Sequence, residues 1–142
     1  MAITQTMTDK CKENLLKGDI HFDSDTFKIA LYDSTATLDA STAAFAGVAG
    51  ELADGVGGYS TGGNTLSGAA ITVSDNVAFV DFADSEWTSS TFTARGALIY
   101  QSGGANSSIA VLDFGSDKTS SNSTFAVTFP AASATTAIIR IE

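Results

Sequence analysis

The sequence predicts a mainly β fold, an antiparallel β-sandwich or jelly-roll-like barrel with one short N-terminal helix. Apolar residues alternate with a period of two from residue 27 onward, as in half-buried strands. Gly, Asn, Asp and Ser clusters separate the apolar runs, and no helical crossovers lie between them. Only 16% of the residues are charged. Such a composition favours close-packed strands joined by small-residue loops.

The chain length predicts a single domain over residues 1–142. A chain of 142 residues is long enough to bury one core and within the usual size of one domain. Within it, residues 1–18 are expected to form a helix or arm. Residues 26–141 are expected to form the β domain, with a long Gly/Ala/Ser/Thr-rich loop at 33–64.

The opening segment reads as a short amphipathic helix. Thr6 can cap it, Asp9 follows three residues later, and Gly18 can take the left-handed conformation that ends a helix. The expected apolar stripe consists of Met7, Cys11, Leu15 and Leu16. This stripe either covers the domain's own core or docks on a neighbouring subunit.

Seven strands are predicted, and the strand at 27–32 is the clearest because Phe27, Ile29 and Leu31 share one face. The other six are expected at 65–74, 77–82, 92–100, 109–114, 124–129 and 137–141. The later strands do not alternate strictly, which indicates burial on both faces. The loop at 33–64 is long for a compact domain, which favours a functional role, and its middle at 41–52 could hold a helical turn.

The charge argues against two classes of partner. The formal net charge is −9, and the seven basic residues are scattered along the chain. Nucleic acids and anionic membranes both need clustered Lys and Arg, so neither partner is expected. The sequence has no apolar run of about 18 residues and no signal-peptide pattern. We therefore expect the protein to remain in the cytoplasm unless an assembly carries it out.

The chain is not expected to be an enzyme or to hold a cofactor or metal. Its one histidine, His21, precludes a two-histidine zinc site and fits a surface role. The carboxylates Asp81, Asp84 and Glu86 are close enough in sequence to suggest the acid pair of a glycosidase or a calcium site. A glycosidase also needs a deep substrate groove and calcium needs converging oxygen ligands, and the sequence indicates neither. Cys11 is the only cysteine and is expected to be a small buried apolar residue.

One binding alternative depends on aromatic residues. Trp87 follows Glu86 and could stack on a sugar ring, although such a residue more often seals one end of a β core. A carbohydrate-binding or adhesion module would require an exposed Trp87 or Tyr59. This alternative therefore makes a prediction about the burial of two residues.

Six sequence blocks resemble small structural proteins encoded by tailed bacteriophages. The blocks are TFKIALY at 26–32, ATL at 36–38, GYSTGGNTL at 58–66, FADSEW at 82–87, TARGALIY at 93–100 and AVLDFG at 110–115. The resemblance covers about residues 26–141. It implies a non-enzymatic virion component assembled in the host cytoplasm, and it assigns no role to individual residues.

Within that class, a capsid decoration or cement protein is the favoured interpretation. Such a protein would bind the major capsid protein and reinforce contacts between shell subunits, and a homo-oligomer, with a trimer as the first choice, would suit local threefold positions. A neck, tail or head-fibre component is the alternative. The expected assembly contacts are the helix stripe and the loop 56–64, listed as Met7, Cys11, Leu15, Leu16, Val56, Tyr59 and Asn64.

Overall fold

The computed structural model describes residues 2–142 and is mainly β, with antiparallel sheets and one short helix near the N-terminus. The predicted fold class is confirmed. In chain order the elements are β1 Thr6–Met7, helix α1 Asp9–Lys17, β2 Phe27–Tyr32, a 3-10 turn Val56–Gly58, β3 Asn64–Thr65, β4 Ala70–Ser74, β5 Val77–Asp81, β6 Ser85–Ser90, β7 Thr93–Gln101, β8 Ser108–Thr119, β9 Ser123–Val127 and β10 Ile139–Ile141.

A five-stranded antiparallel sheet in the order β1-β8-β7-β2-β3 forms one layer. Its centre is the pairing of β2 with β7, in which all six residues of β2 have a partner. Both faces of this sheet are covered. One face presents Ile29, Leu31 and Ile99 to the larger core, and the other presents Tyr32 and Leu98 to a second, smaller core. Burial on both faces explains why the strand patterns do not alternate strictly.

The second layer consists of a three-stranded sheet in the order β10-β5-β4 and a two-stranded sheet of β6 with β9. Residues 82–84 lead directly from β5 into β6, and the backbone N–H of Phe129, just after β9, donates to the Asp84 carboxylate at 2.8 Å. Val80, Trp87 and Phe125 from this layer join the larger core. The two layers therefore enclose one apolar interior.

The first part of the loop at 33–64, residues 36–48, covers the outer face of the five-stranded sheet. Leu38 is fully buried there, and the ring of Phe45 stacks on Tyr100 with centroids 4.5 Å apart. The helical turn predicted at 41–52 is absent from the described structure. The N–H of Phe45 donates to the Asn106 carbonyl at 2.9 Å and that of Leu52 to the Leu31 carbonyl at 3.0 Å. Because these donors pair with distant segments, they are not available for a local helix.

Helix α1 begins later than the sequence indicated. Thr6 is not the cap, because Thr6 and Met7 pair as a strand with β8. Thr8 is the N-cap, and its hydroxyl accepts the Cys11 N–H at 3.2 Å. Gly18 ends the helix in the left-handed conformation at φ 76°, as predicted. Within residues 2–142 no helix is long and apolar enough to cross a membrane.

The strands differ from the predicted ones in three main respects. The strand expected at 65–74 is divided into β3 and β4, with Gly68 at φ +67° between them. Strand β6 was not predicted, and β8 extends to Thr119, five residues beyond its predicted end. Strand β6 forms because it pairs with β9, a contact between segments far apart in sequence.

Candidate interaction surface

Three of the predicted helix contacts lie together on the surface. Met7, Leu15 and Leu16 line an apolar depression of about 260 Å³ with Ile141 from β10, and Lys12 and Arg140 complete its wall. Leu16 is 92% exposed and Ile141 is 50% exposed. Exposed apolar side chains grouped in this way are a feature of contact surfaces. We call this group, Met7, Leu15, Leu16 and Ile141, the helix patch.

Cys11 does not belong to the helix patch. Its side chain is fully buried in the larger core, which corrects its assignment as a surface contact and agrees with its reading as a small apolar residue. Burial raises the pKa of the Cys11 thiol to about 12, and nearby Lys12 lowers it only in part. The thiolate, the reactive form, is therefore scarce at neutral pH.

We expect Cys11 to resist alkylation in the folded protein. At pH 8 iodoacetamide should modify the chain at least about 100-fold more slowly in buffer than in 6 M guanidinium chloride, because the reagent needs an accessible thiolate. Intact-mass spectrometry over time measures this ratio. Equal rates in buffer and denaturant would contradict the burial of Cys11.

The loop residues predicted as contacts have different roles. Val56 is half exposed, but Tyr59 is buried, which corrects its assignment as a surface contact. The Tyr59 hydroxyl donates to Glu51 at 2.8 Å and accepts the backbone N–H of Leu31 at 3.0 Å. Burial raises the pKa of the Tyr59 hydroxyl well above its usual value. Tyr59 therefore anchors the loop to β2.

Asn64 is also an internal link. Its side-chain amide donates to the Glu86 carbonyl at 2.9 Å and to the Ser85 hydroxyl at 3.2 Å. These bonds join the end of the loop to β6 in the other layer. The amide of Asn64 is thus already engaged within the chain.

Trp87 is buried as well, at 5% exposure. Its ring packs against Tyr59, Phe92 and Phe125 with centroids 6.2 to 6.4 Å apart. The carbohydrate-binding alternative required Trp87 or Tyr59 to be exposed, and neither is. Both residues seal the core instead.

The titratable residues singled out from the sequence are dispersed. His21 lies on the surface with its Nδ1 3.5 Å from an Asp25 oxygen. The Asp84 carboxylate accepts the N–H of Phe129, and Glu86 points outward from β6. Over residues 2–142, no three His, Cys, Asp or Glu side chains are grouped so that they could hold a metal ion.

A groove runs along the side of the sandwich where the two layers do not meet, and sequence reasoning missed it. One lip is β8, and the other is the segment 124–138, which contains most of β9. Three adjoining cavities of about 390, 250 and 290 Å³ share lining residues along this line. We call it the open groove, and it is lined by Leu112, Phe114, Phe125, Val127, Phe129 and Ile138. The last cavity also reaches Met7, which links the open groove to the helix patch.

Strand β9 presents an unpaired edge to the open groove, since in the described structure it pairs only with β6. Phe125 and Val127 are buried, while Ala126 between them is exposed on the outer face. Lys118 lies at the same end of the open groove and forms no ion pair within residues 2–142. An apolar cavity, a free strand edge and an uncompensated positive charge therefore occur together.

Strand β4 is the free edge on the other side of the second layer. All five of its residues are exposed, with Ile71 at 52% and Val73 at 71%. The stretch 65–74 carries no charge and no proline, the usual devices that keep an edge strand from pairing with another chain. Its alternation predicts a strand, but only the sheet order shows that the strand is an edge.

The turn after β4 determines which of its peptide groups are free. Asp75 and Asn76 have φ of 52° and 64°, as in a two-residue type I′ hairpin, and Ser74 pairs with Val77 across it. In such a hairpin the flanking pair is hydrogen-bonded, and bonded pairs then alternate along the ladder. The peptide groups of Ile71 and Val73 therefore point away from β5.

Compared with protein-family models, with curated proteins and with solved structures, the chain and its fold give no match.

Proposed function

We propose that this chain is a non-enzymatic structural protein of a tailed-bacteriophage virion, and within that class a capsid decoration or cement protein. It would bind the outer shell and reinforce contacts between major capsid subunits. The sequence blocks that resemble phage structural proteins support the class. The free edge of β4 and the helix patch support a role in assembly.

The observation that carries this proposal is the unprotected edge of β4. Ordinary domains shield such edges with charges, proline or a covering segment, because an exposed edge recruits other chains. Here Ile71 and Val73 stand exposed on a strand without any charged residue. An edge of this kind is useful in a protein whose role is to be built into an assembly.

The helix patch supplies a second contact surface, suited to the shell. It combines exposed Leu16 and Ile141 with two ion pairs at its margin, Lys12 with Asp9 and Arg140 with Glu142. The remainder of the chain is strongly acidic: residues 19–142 hold four basic and fourteen acidic residues, whereas residues 1–18 hold three basic and two. An apolar centre with a polar rim, at the least acidic end of the molecule, is the usual composition of a protein contact surface.

The copy number of the chain in purified particles tests the proposed location. Quantitative mass spectrometry should find it at a ratio near one to one with the major capsid protein if it decorates the shell. A ratio lower by one or two orders of magnitude would overturn the decoration role in favour of a neck, tail or head-fibre component. Absence from the particles would overturn the virion proposal altogether.

Shell binding by the purified protein tests the proposed contact. We expect the wild-type protein to co-sediment with shells that lack it, and Leu16→Lys to weaken this binding by roughly 30-fold, the effect of losing one anchor residue. Leu16 is nearly fully exposed, so the variant should fold normally. Thr37→Lys, which introduces the same charge at an exposed residue that does not line the helix patch, is the matched control.

A further inference from the structure

We infer that the partner of the β4 edge is β4 of a second copy of this chain, paired antiparallel about a two-fold axis at Thr72, the central residue of the strand. The inference rests on the proposed function in one respect, since it names the partner of the edge that supports that function. It concerns the purified protein alone and can therefore fail or succeed separately from the particle experiment.

The backbone of β4 is complementary to itself. The peptide groups of Ile71 and Val73 point away from β5, whereas those of Thr72 point toward it. With the axis at Thr72, Ile71 of each copy lies opposite Val73 of the other. Both residues of such a pair have free N–H and C=O groups, so each pair exchanges both of its hydrogen bonds. The contact therefore satisfies the free peptide groups of Ile71 and Val73 in both copies.

The exposed apolar side chains meet in the same arrangement. Ile71 pairs with Val80, which faces the larger core, so Ile71 and Val73 lie on the core-facing side of their layer. A two-fold axis perpendicular to the sheet keeps the core-facing sides of both copies on one side. Ile71 and Val73 of one copy therefore contact Val73 and Ile71 of the other, and cross-strand pairs of β-branched residues stabilise a sheet.

Neighbouring registers match less well. The axis at Thr72 pairs the whole of β4, Ala70–Ser74, with itself. An axis at Val73 would place Ile71 opposite Asp75, a charged residue in the hairpin turn. An axis at Ile71 would leave Val73 opposite Ala69, which has little side chain to contact. Only the central register pairs both exposed apolar residues with each other.

The charges favour the antiparallel direction. Two chains of net charge −9 repel each other, so a contact between copies must avoid like charges, and the stretch 65–74 has no charge. The first charge beyond it is Asp75 at the hairpin tip, which forms no ion pair within residues 2–142. Antiparallel pairing about Thr72 separates the two Asp75 residues by roughly 20 Å, farther than the screening length of about 8 Å in physiological salt. A parallel pairing would instead bring the two carboxylates side by side.

The contact closes at two copies, because a two-fold contact pairs a surface with itself. The inferred homo-oligomer is therefore a dimer, in place of the trimer expected from the sequence. The dimer continues the second layer as β10-β5-β4-β4-β5-β10, with the two β10 strands at its outer edges. Ile141 of β10 belongs to the helix patch, so the dimer carries one helix patch toward each end and can join two shell subunits.

Sedimentation equilibrium of the purified chain and its variants tests the contact. A strand of five residues makes a small interface, so we expect a wild-type dimer at about 100 µM that dissociates on dilution. Val73→Lys should weaken association by roughly 30-fold or more, because it sets a charge opposite Ile71 and diagonal to the same charge of the other copy. Val73 is 71% exposed, so the variant should fold normally, and Thr37→Lys should associate like the wild type. Unchanged association of Val73→Lys would overturn the inference, and a wild-type monomer at this concentration would leave the edge to a strand of another protein and overturn it as well.

A cysteine cross-link tests the direction and the register. In the inferred dimer the two Thr72 residues form a non-hydrogen-bonded pair with Cα atoms about 4.5 Å apart, within the range that a disulfide bridges. Thr72 is exposed, so Thr72→Cys should form covalent dimers on oxidation. Ser74→Cys, exposed on the same face of β4, is the matched control, because the two Ser74 residues lie roughly 13 Å apart and should not link. Dimers of Ser74→Cys, or none of Thr72→Cys, would overturn the inference, while the buried Cys11 adds no background.

Discussion

Gly63→Ala is expected to destabilise the fold by about 3 to 5 kcal/mol, from overpacking and from the cost of a left-handed residue with a side chain. Gly63 has φ +74°, and a Cβ there would lie 1.8 Å from the Ile29 carbonyl oxygen and 2.8 Å from the Ala30 Cα. These atoms belong to β2, which is held between β3 and β7. The backbone on that side cannot move away without breaking the central pairing.

Gly104→Ala separates the steric cost from the backbone cost. Gly104 also has positive φ, at 56°, but a Cβ there would meet no atom within 4 Å. This variant should lose only about 1 to 2 kcal/mol. Urea unfolding followed by Trp87 fluorescence measures both variants. Equal losses for Gly63→Ala and Gly104→Ala would contradict the close approach of the loop to β2.

Trp87→Ala is expected to cost about 3 to 5 kcal/mol of unfolding free energy, the range for truncating a buried aromatic residue. The indole is the meeting point of Tyr59, Phe92 and Phe125, so its removal leaves a cavity where three rings lose their contacts. Circular dichroism during urea unfolding measures the effect, because the variant lacks the one tryptophan of the chain.

Trp87→Phe is the matched control. The indole Nε1 is buried and has no hydrogen-bond partner in the described structure, so phenylalanine removes an unsatisfied donor while it keeps most of the packing. We expect this variant to lose less than half as much stability as Trp87→Ala. A stable Trp87→Ala variant, or retention of the wild-type protein on a glycan column that Trp87→Ala abolishes, would favour the exposed-platform interpretation instead.

The predicted contact residues show what helical spacing can and cannot predict. Met7, Leu15 and Leu16 were predicted from one helical stripe, and they do meet, although Met7 belongs to β1 and not to the helix. Cys11 fits the same stripe but lies inside the core. Spacing along a helix indicates which residues share a side. It does not indicate how deeply each one is buried.

The open groove could not be predicted from the sequence. Its lips, β8 and β9, are neighbours in the chain, and their apolar residues have the same pattern as residues of a closed core. The groove exists because β8 pairs with β7 while β9 pairs with β6, which places the two strands in different layers. The exposed edge of β4 depends in the same way on which strand stands beside it.

Local features were enough to predict the mainly β class, the strand at 27–32, the helix end at Gly18 and the scarcity of basic residues. Each of these depends on residue type, on periodicity within a few residues or on net charge, and all three can be read without knowledge of the packing. Only the packed layers reveal the burial of Tyr59 and Trp87, the pairing that makes β6 a strand, and the free edges of β4 and β9. These features depend on contacts between distant segments, because a strand acquires its partners, and a side chain its burial, only when the layers pack.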